Sequence, residues 1–218
     1  MAMSDKFSFS KRPKTVGLFG LSANPPHYGH IKMAQYVHNI LGLDEIWWIV
    51  AAQNPLKPAE GMAPFEDRLK MCRIISAPYP WLKVTDIEQR CGTQRTYDTL
   101  TLLKSMNRNI DFTWIMGADN LAGFHKWYKW RDIADMLPIA VLARPGETEQ
   151  ARMSRAGIEM HKFENAEEMK HQPSGYVILD NPMVEISSTS LRQNPQARLA
   201  GTSPAVNSHI RSQQLYGF

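Results

Sequence analysis

The sequence predicts an α/β fold, and three observations carry that expectation. The chain opens with an apolar, β-rich stretch at 15–19, a helical pattern from Gly29, and the apolar run Glu45-Ile46-Trp47-Trp48-Ile49-Val50, together a β-α-β start. Short apolar runs then alternate with helical patterns along the rest of the chain. Finally, 218 residues with 43% hydrophobic and 21% charged side chains suffice for one substantial core in one domain.

The first strand runs into Gly20-Leu21-Ser22-Ala23-Asn24-Pro25-Pro26-His27-Tyr28-Gly29-His30, the chemical centre of the chain. Gly20 permits backbone conformations that residues with a Cβ avoid, so a sharp turn is expected after the strand. Ser22 and Asn24 offer turn and cap oxygens, while Pro25 and Pro26 suit the start of a helix better than its interior. From Gly29 on, Ile31, Ala34, Val37, His38 and Leu41 recur at helical spacing, which puts His27 and His30 on one face of the first turn. Free N–H groups and the positive end of the helix dipole point there, and Gly29 lets an anion approach the backbone. A phosphate site is the direct reading. The dinucleotide fingerprint G-x-G-x-x-G and the P-loop ending Gly-Lys-Ser/Thr are both absent. No third residue at a metal-ligand spacing accompanies the two histidines, so the chain is expected to supply no metal ligands of its own.

Composition narrows the classes. A formal net charge of +4 and an isoelectric point near 9.1 suit anionic small molecules as readily as nucleic acid, but no nucleic-acid-binding signature or concentrated Lys/Arg stripe accompanies them, so no nucleic-acid partner is expected. Cys72 and Cys91 follow no metal or CxxC spacing and are expected to be reduced thiols in a cytoplasmic protein. Residues 1–14 read as a loose polar tail without the apolar stretch of a signal peptide. The strongest apolar run, 46–52, is too short to span a bilayer, so no membrane partner is expected. Self-association into a homo-oligomer is left open.

The remaining elements follow in order. Residues 53–64 hold three prolines and Lys57, a loop at a strand's C-terminal end, where open α/β sheets place their ligands. The 65–77 stretch reads as a helix with Leu69, Cys72, Ile74 and Ile75 inward and Arg68, Lys70 and Arg73 interspersed, ending before Pro78. A short strand is expected at 82–85, then a helix at 96–106 capped by Thr96. The strand at 111–116 ends at Gly117-Ala118-Asp119-Asn120, where Asp119 suits ribose hydroxyls or a helix N-cap. Trp127-Tyr128-Lys129-Trp130, beside Phe124 and His125, is an aromatic cluster with basic interleaving, one ring of which is suited to stacking on a heteroaromatic base. A buried strand at 138–143 ends in Arg144-Pro145-Gly146, and 147–173 reads as helix plus loop. After a strand at 176–179, Ile186-Ser187-Ser188-Thr189-Ser190-Leu191-Arg192 places hydroxyls at a helix start and an arginine one turn on, a set able to clamp a triphosphate. A terminal helix is expected at 204–216, with Val206, Ile210 and Leu215 as its apolar contacts.

These motifs, taken together, resemble the nucleotidyltransferases of the H-x-G-H type, most closely the bacterial nicotinate mononucleotide adenylyltransferases, over residues 16–216. The resemblance implies a Rossmann-like doubly wound parallel sheet with a small C-terminal helical part at 188–218, within a single nucleotidyltransferase domain at 15–218. It implies adenylyl transfer from ATP to nicotinate mononucleotide in NAD biosynthesis, with Mg²⁺ held mainly by phosphate oxygens and water. His27, His30, Arg192 and Lys57 take the catalytic roles. The ATP site would further include Gly20, Leu21, Ser22, Gly117, Asp119, Ser188 and Thr189, and the nicotinate mononucleotide site Lys57, Thr96, Trp127 and Arg144. The chain departs from the family's pattern at Leu21 (usually glycine), Ala23 (phenylalanine), Asn24 (aspartate), Leu56 (histidine) and Gln94-Arg95 (Ser-Tyr). Alternative acceptors are nicotinamide mononucleotide and phosphopantetheine, and a nucleotide sensor without turnover is the non-enzymatic reading.

Overall fold

A computed structural model describes residues 12–52, 61–170, 172–182 and 184–217. In chain order the elements are β1 (Lys14–Leu21), α1 (Tyr28–Leu41), β2 (Glu45–Val50), α2 (Phe65–Ser76), β3 (Leu82–Thr85), α3 (Ile87–Cys91), α4 (Thr96–Met106) and β4 (Ile110–Gly117). Then come α5 (Ala118–Gly123), a 3₁₀ turn (Phe124–Lys126), α6 (Trp130–Met136), β5 (Ile139–Leu142), α7 (Thr148–Arg152), α8 (Arg155–Glu159), β6 (Lys162–Phe163), α9 (Ala166–Met169) and β7 (Tyr176–Leu179). The chain finishes with α10 (Ser188–Gln193), α11 (Pro195–Gly201) and α12 (Pro204–Ser212), the expected C-terminal helical part.

Among the described residues the strands form one sheet in the order β3-β2-β1-β4-β5-β7-β6. Every adjacent pair is parallel. β1 lies in the middle, with Leu18 level with Trp47 of β2 on one side and Trp114 of β4 on the other. Because side chains alternate across a strand, Leu18 and Phe19 enter different cores. Phe19, Leu21 and Trp48 pack with Ile31 and Val37 of α1, Leu69 and Ile75 of α2, and Val206 and Ile210 of α12. On the other face Leu18, Ile49 and Trp114 pack with Leu100 of α4, Leu121 of α5 and Ile133 of α6. This is the doubly wound arrangement, and the strand order reverses between β1 and β4, opening a crevice past their C-terminal ends.

At the opposite end of β1, Asp44 fastens the first two strands. Its carboxylate accepts from the Arg12 guanidinium at 2.6 and 3.0 Å and from the Thr15 N–H at 2.9 Å. These hydrogen bonds, the Thr15 N–H foremost, hold the Asp44 carboxyl down at about 2.

The expected strands at 45–50, 82–85 and 176–179 and the helix at 96–106 form over those residues. Other elements differ for identifiable reasons. Arg95, not Thr96, is the N-cap of α4, and no side chain caps it; Thr96 is already the first helical residue. Gly117 occupies the N-cap of α5, which leaves Asp119 in the first turn. The terminal helix stops at Ser212 because Gln214 and Tyr216 enter the left-handed region at φ 52° and 60°. Two short elements, α3 and β6, lie in stretches too brief to show a period. Of the tail expected at 1–14, residues 1–11 lie outside the described residues, and β1 opens at Lys14. Both cysteines are free, Cys72 buried and Cys91 exposed. Among the described residues no helix is long and apolar enough to cross a membrane.

Candidate active site

The crevice is built first by the turn between β1 and α1. His27 is the N-cap of α1 in extended conformation and is 6% exposed. Its ring lies against His30, with centroids 3.8 Å apart. His30 Nδ1 accepts the His27 backbone N–H at 3.2 Å, so a neutral His30 carries its proton on Nε2 and is a donor through that nitrogen. Burial, and then the charge of Arg144, lower His27 to about 4, so its ring is neutral at pH 7. Among the described residues His27 Nδ1 is buried without a hydrogen-bond partner.

The two glycines of this turn serve packing. A Cβ on Gly29 would stand 2.8 Å from His27 Nδ1 and 3.1 Å from Val184 Cγ1, so the missing side chain makes room for the imidazole. Gly20 lies within β1 and outside the positive-φ region; a Cβ would meet Trp114 Cη2 at 3.0 Å. Being exposed at the strand's end, Gly20 keeps the crevice floor low over that indole. The neighbouring Leu21 side chain is buried in the α1-side core, and its carbonyl accepts from the Ala51 N–H at 2.9 Å.

The C-terminal helical part reaches this turn directly. Ser188 Oγ donates to the Pro25 carbonyl at 2.9 Å, while Arg192 donates to the Asn24 carbonyl at 2.7 Å and to Thr189 Oγ1 at 3.2 Å. Ser187 caps α10 by accepting the Ser190 N–H at 3.1 Å. The structure thus brings His27, His30, Ser188, Thr189 and Arg192 together. Asn24, expected as a local turn or cap residue, makes long-range bonds. Its Oδ1 accepts the Ala63 N–H at 3.0 Å and the Tyr216 hydroxyl at 2.7 Å, and its Nδ2 donates to the Gly61 carbonyl at 3.0 Å. An aspartate could not make the last of these.

Beyond β4 and β5, Arg144 Nε lies 3.4 Å from Asp119 Oδ1. A Cβ on Gly117 would collide with Asp119 Oδ1 and stand 3.1 Å from Arg144 Nε, so this glycine lets the pair close over the strand end. Arg144 also acts electrostatically on His27, which links this pair to the histidine turn. A third group lies at the start of α4. Trp127 stands edge-on to Trp114 at 6.5 Å and to Phe124 at 5.3 Å. Opposite, Tyr97 meets Tyr128 edge-on at 6.0 Å, with the Arg95 guanidinium 4.3 Å over Tyr128 and Lys129 Nζ 4.3 Å over Tyr97. Thr96 adjoins Tyr97 in sequence and Trp127 adjoins Tyr128, which places each next to one ring of this pair. Lys57 and Leu56 lie outside the described residues.

Two further residues emerge. Arg68 is 1% exposed, and its guanidinium donates to the carbonyls of Ser22, Ala51, Ala52 and Ala63 at 2.8–3.1 Å. It fastens the chain leaving β1 and β2 to the start of α2, and desolvation depresses its pKa. The helical pattern counts Arg68 as an interspersed cation, although it falls in line with buried Cys72 and Ile75 at spacings of four and three. Glu88, on α3, is half-buried; desolvation pushes its carboxyl up to about 7 against hydrogen bonds from the Ala52 N–H and the Thr99 hydroxyl. Its position gave no sequence signal, because Ala52 and Thr99 meet it only in the fold.

A family model described as cytidylyltransferase-like matches residues 18–194. A protein from Agrobacterium fabrum named probable nicotinate-nucleotide adenylyltransferase is 43% identical over 185 residues, covering 82% of this chain and 98% of that one. One of the same name from Ruegeria pomeroyi is 38% identical over 195 residues, covering 87% and 91%. The structure of Plasmodium falciparum nicotinic acid mononucleotide adenylyltransferase complexed with NaAD superposes with a TM-score of 0.71 over 94% of this chain and 98% of that one, at 19% identity, and so shares the fold. Matched across most of its length by the family model and by such relatives, the chain belongs to the cytidylyltransferase-like family.

Proposed function

We propose that this protein transfers the adenylyl group of ATP to nicotinate mononucleotide, releasing pyrophosphate and forming nicotinate adenine dinucleotide. The observation that carries this reading is the meeting of the His27–His30 turn with Ser188, Thr189 and Arg192 at the β1/β4 crevice. The names of its relatives support the same acceptor.

A phosphate oxygen of the mononucleotide forms the new bond to the α-phosphorus of ATP, and the bond from that phosphorus to the bridging pyrophosphate oxygen breaks. The attacking phosphate is already ionised at neutral pH, so no general base is needed. Rate comes from positioning and from donors aimed at developing charge. His30 Nε2–H and Arg192 serve the α-phosphate and the leaving group, with Ser188 and Thr189 at the triphosphate end. His27 starts neutral and gains affinity for a proton as the phosphates arrive. Lys57 is assigned to the phosphates by the family resemblance alone.

Gly20, Leu21, Ser22 and Gly117 line the ATP path with backbone, and Asp119 accepts from ribose hydroxyls. Trp127 stacks on the pyridine ring, and Arg144 serves the mononucleotide beside it. The Thr96 N–H and the Arg95 side chain face the nicotinate carboxylate; an amide would leave these donors badly paired. Enzymes of this family generally use a divalent metal, and Mg²⁺ is the ion proposed. The ion would be carried mainly by triphosphate oxygens and water. Bound there, the ion neutralises phosphate charge. Residues 15–218 are read as one nucleotidyltransferase domain in a cytoplasmic protein.

The test presents nicotinate mononucleotide, nicotinamide mononucleotide and phosphopantetheine separately with ATP and Mg²⁺, following pyrophosphate release and product mass. The nicotinate compound is expected to give the highest kcat/KM. Equal constants for acid and amide would contradict the carboxylate contacts, and ATP binding without turnover on any acceptor would favour the sensor.

A further inference from the structure

Past α12 the backbone turns through two non-glycine residues in the left-handed region, Gln214 and Tyr216. Side chains with a Cβ disfavour that region, and it persists where surrounding contacts impose it. Here the Leu215 N–H bonds to the Ile210 carbonyl at 3.0 Å, and Arg198 donates to the Tyr216 carbonyl at 3.4 Å. The result brings the Tyr216 hydroxyl to 2.7 Å from Asn24 Oδ1. Asn24 itself follows another left-handed residue, Ala23 at φ 50°, and stands three residues before His27.

We infer that Tyr216 is a positioning residue for adenylyl transfer, acting through Asn24 on the His27–His30 turn. This rests on the function proposed above. An amide side chain can flip and exchange its oxygen for its nitrogen. At Asn24 two donors, the Tyr216 hydroxyl and the Ala63 N–H, meet Oδ1 while the Gly61 carbonyl takes Nδ2, which fixes one orientation. Arg192 grips the carbonyl of the same residue, so a loosened Asn24 moves both the histidine turn and the arginine. Burial keeps the phenol protonated by raising its pKa, so it remains a donor. Neither Tyr216 nor Asn24 need touch substrate for this to matter, since small displacements of reacting groups cost rate steeply.

The test is Tyr216→Phe, which keeps the ring packed and removes only the hydroxyl. Its kcat for the dinucleotide product is expected to fall about tenfold, with KM for ATP changed less than about twofold. In ligand-free protein the imidazole ¹⁵N resonances of His27 and His30 are expected to shift, a readout independent of turnover. If the wild-type protein makes no product yet those resonances shift, the proposed function fails while the contact's hold on the histidines stands. Unchanged kcat in an active background, or a rate loss that only follows a lowered folded fraction with unshifted imidazoles, would overturn the inference.

Discussion

Arg192 donates to the backbone carbonyl of Asn24 at 2.7 Å, across 168 residues of sequence, and so joins the C-terminal helical part to the histidine turn. Its second nitrogen reaches Thr189 Oγ1 at 3.2 Å. One guanidinium therefore shapes the site, and in the proposed function its remaining N–H groups serve phosphate. A lysine keeps the charge but not the planar fork. Arg192→Lys is expected to lower kcat/KM about a hundredfold while leaving the thermal transition near that of wild type. Steady-state kinetics with ATP varied checks this; a loss under about threefold would show that charge alone suffices.

Arg68 makes the corresponding stability prediction. It is a buried cation balanced by carbonyl oxygens, and removing it leaves those acceptors of the crevice floor without a donor. Arg68→Met is expected to cost roughly 3 kcal/mol, read from the urea midpoint at constant m. Arg68→Lys should recover only part of it, because one ammonium cannot reach four carbonyls on three segments. A midpoint matching wild type would show that water replaces the guanidinium.

Glu88 and His27 give opposed pH dependences. Glu88 has a folded pKa of about 7 against an ordinary 4.5, so between those values the folded chain holds more protons than the unfolded chain and stability falls as pH rises. His27 has a folded value of about 4 against 6.5, so in that window the unfolded chain holds the extra proton and stability falls as pH drops. Glu88→Gln removes only the first effect. Its urea midpoint relative to wild type is expected to rise steadily from pH 5 to 7 and level off above about 7.5. A pH-independent difference would mean that the Glu88 carboxyl titrates normally.

Strands and helices were legible where their own residues carry the signal: the apolar run 45–50 becomes β2, and the spacing of Ile31, Ala34, Val37 and Leu41 becomes the inner face of α1. The histidines and the hydroxyl-arginine segment were legible for the same reason, because each group lies within one turn of chain. Contacts between distant segments were not. Asn24 reads as a turn residue until Gly61, Ala63 and Tyr216 surround it, and Arg68 reads as a cation interspersed in a helical pattern until four carbonyls converge on it. Gly20 reads as a source of backbone freedom and Gly29 as room for an anion, and the structure adds that both leave space for rings, those of Trp114 and His27. The departure at Asn24 likewise becomes intelligible only through the Gly61 carbonyl it donates to.

In the proposed mechanism the His27–His30 turn stabilises charge on the transferred phosphate, with His30 as the donor. Its Nδ1 accepts the His27 N–H, which puts the ring proton of a neutral His30 on Nε2. The decisive measurement is kcat of His30→Ala for nicotinate adenine dinucleotide formation at saturating ATP, Mg²⁺ and nicotinate mononucleotide, on protein shown to be folded. A fall of ~10² to 10³ is expected from the loss of one preorganised donor. Turnover within about threefold of wild type would remove His30 from the chemistry and contradict the mechanism.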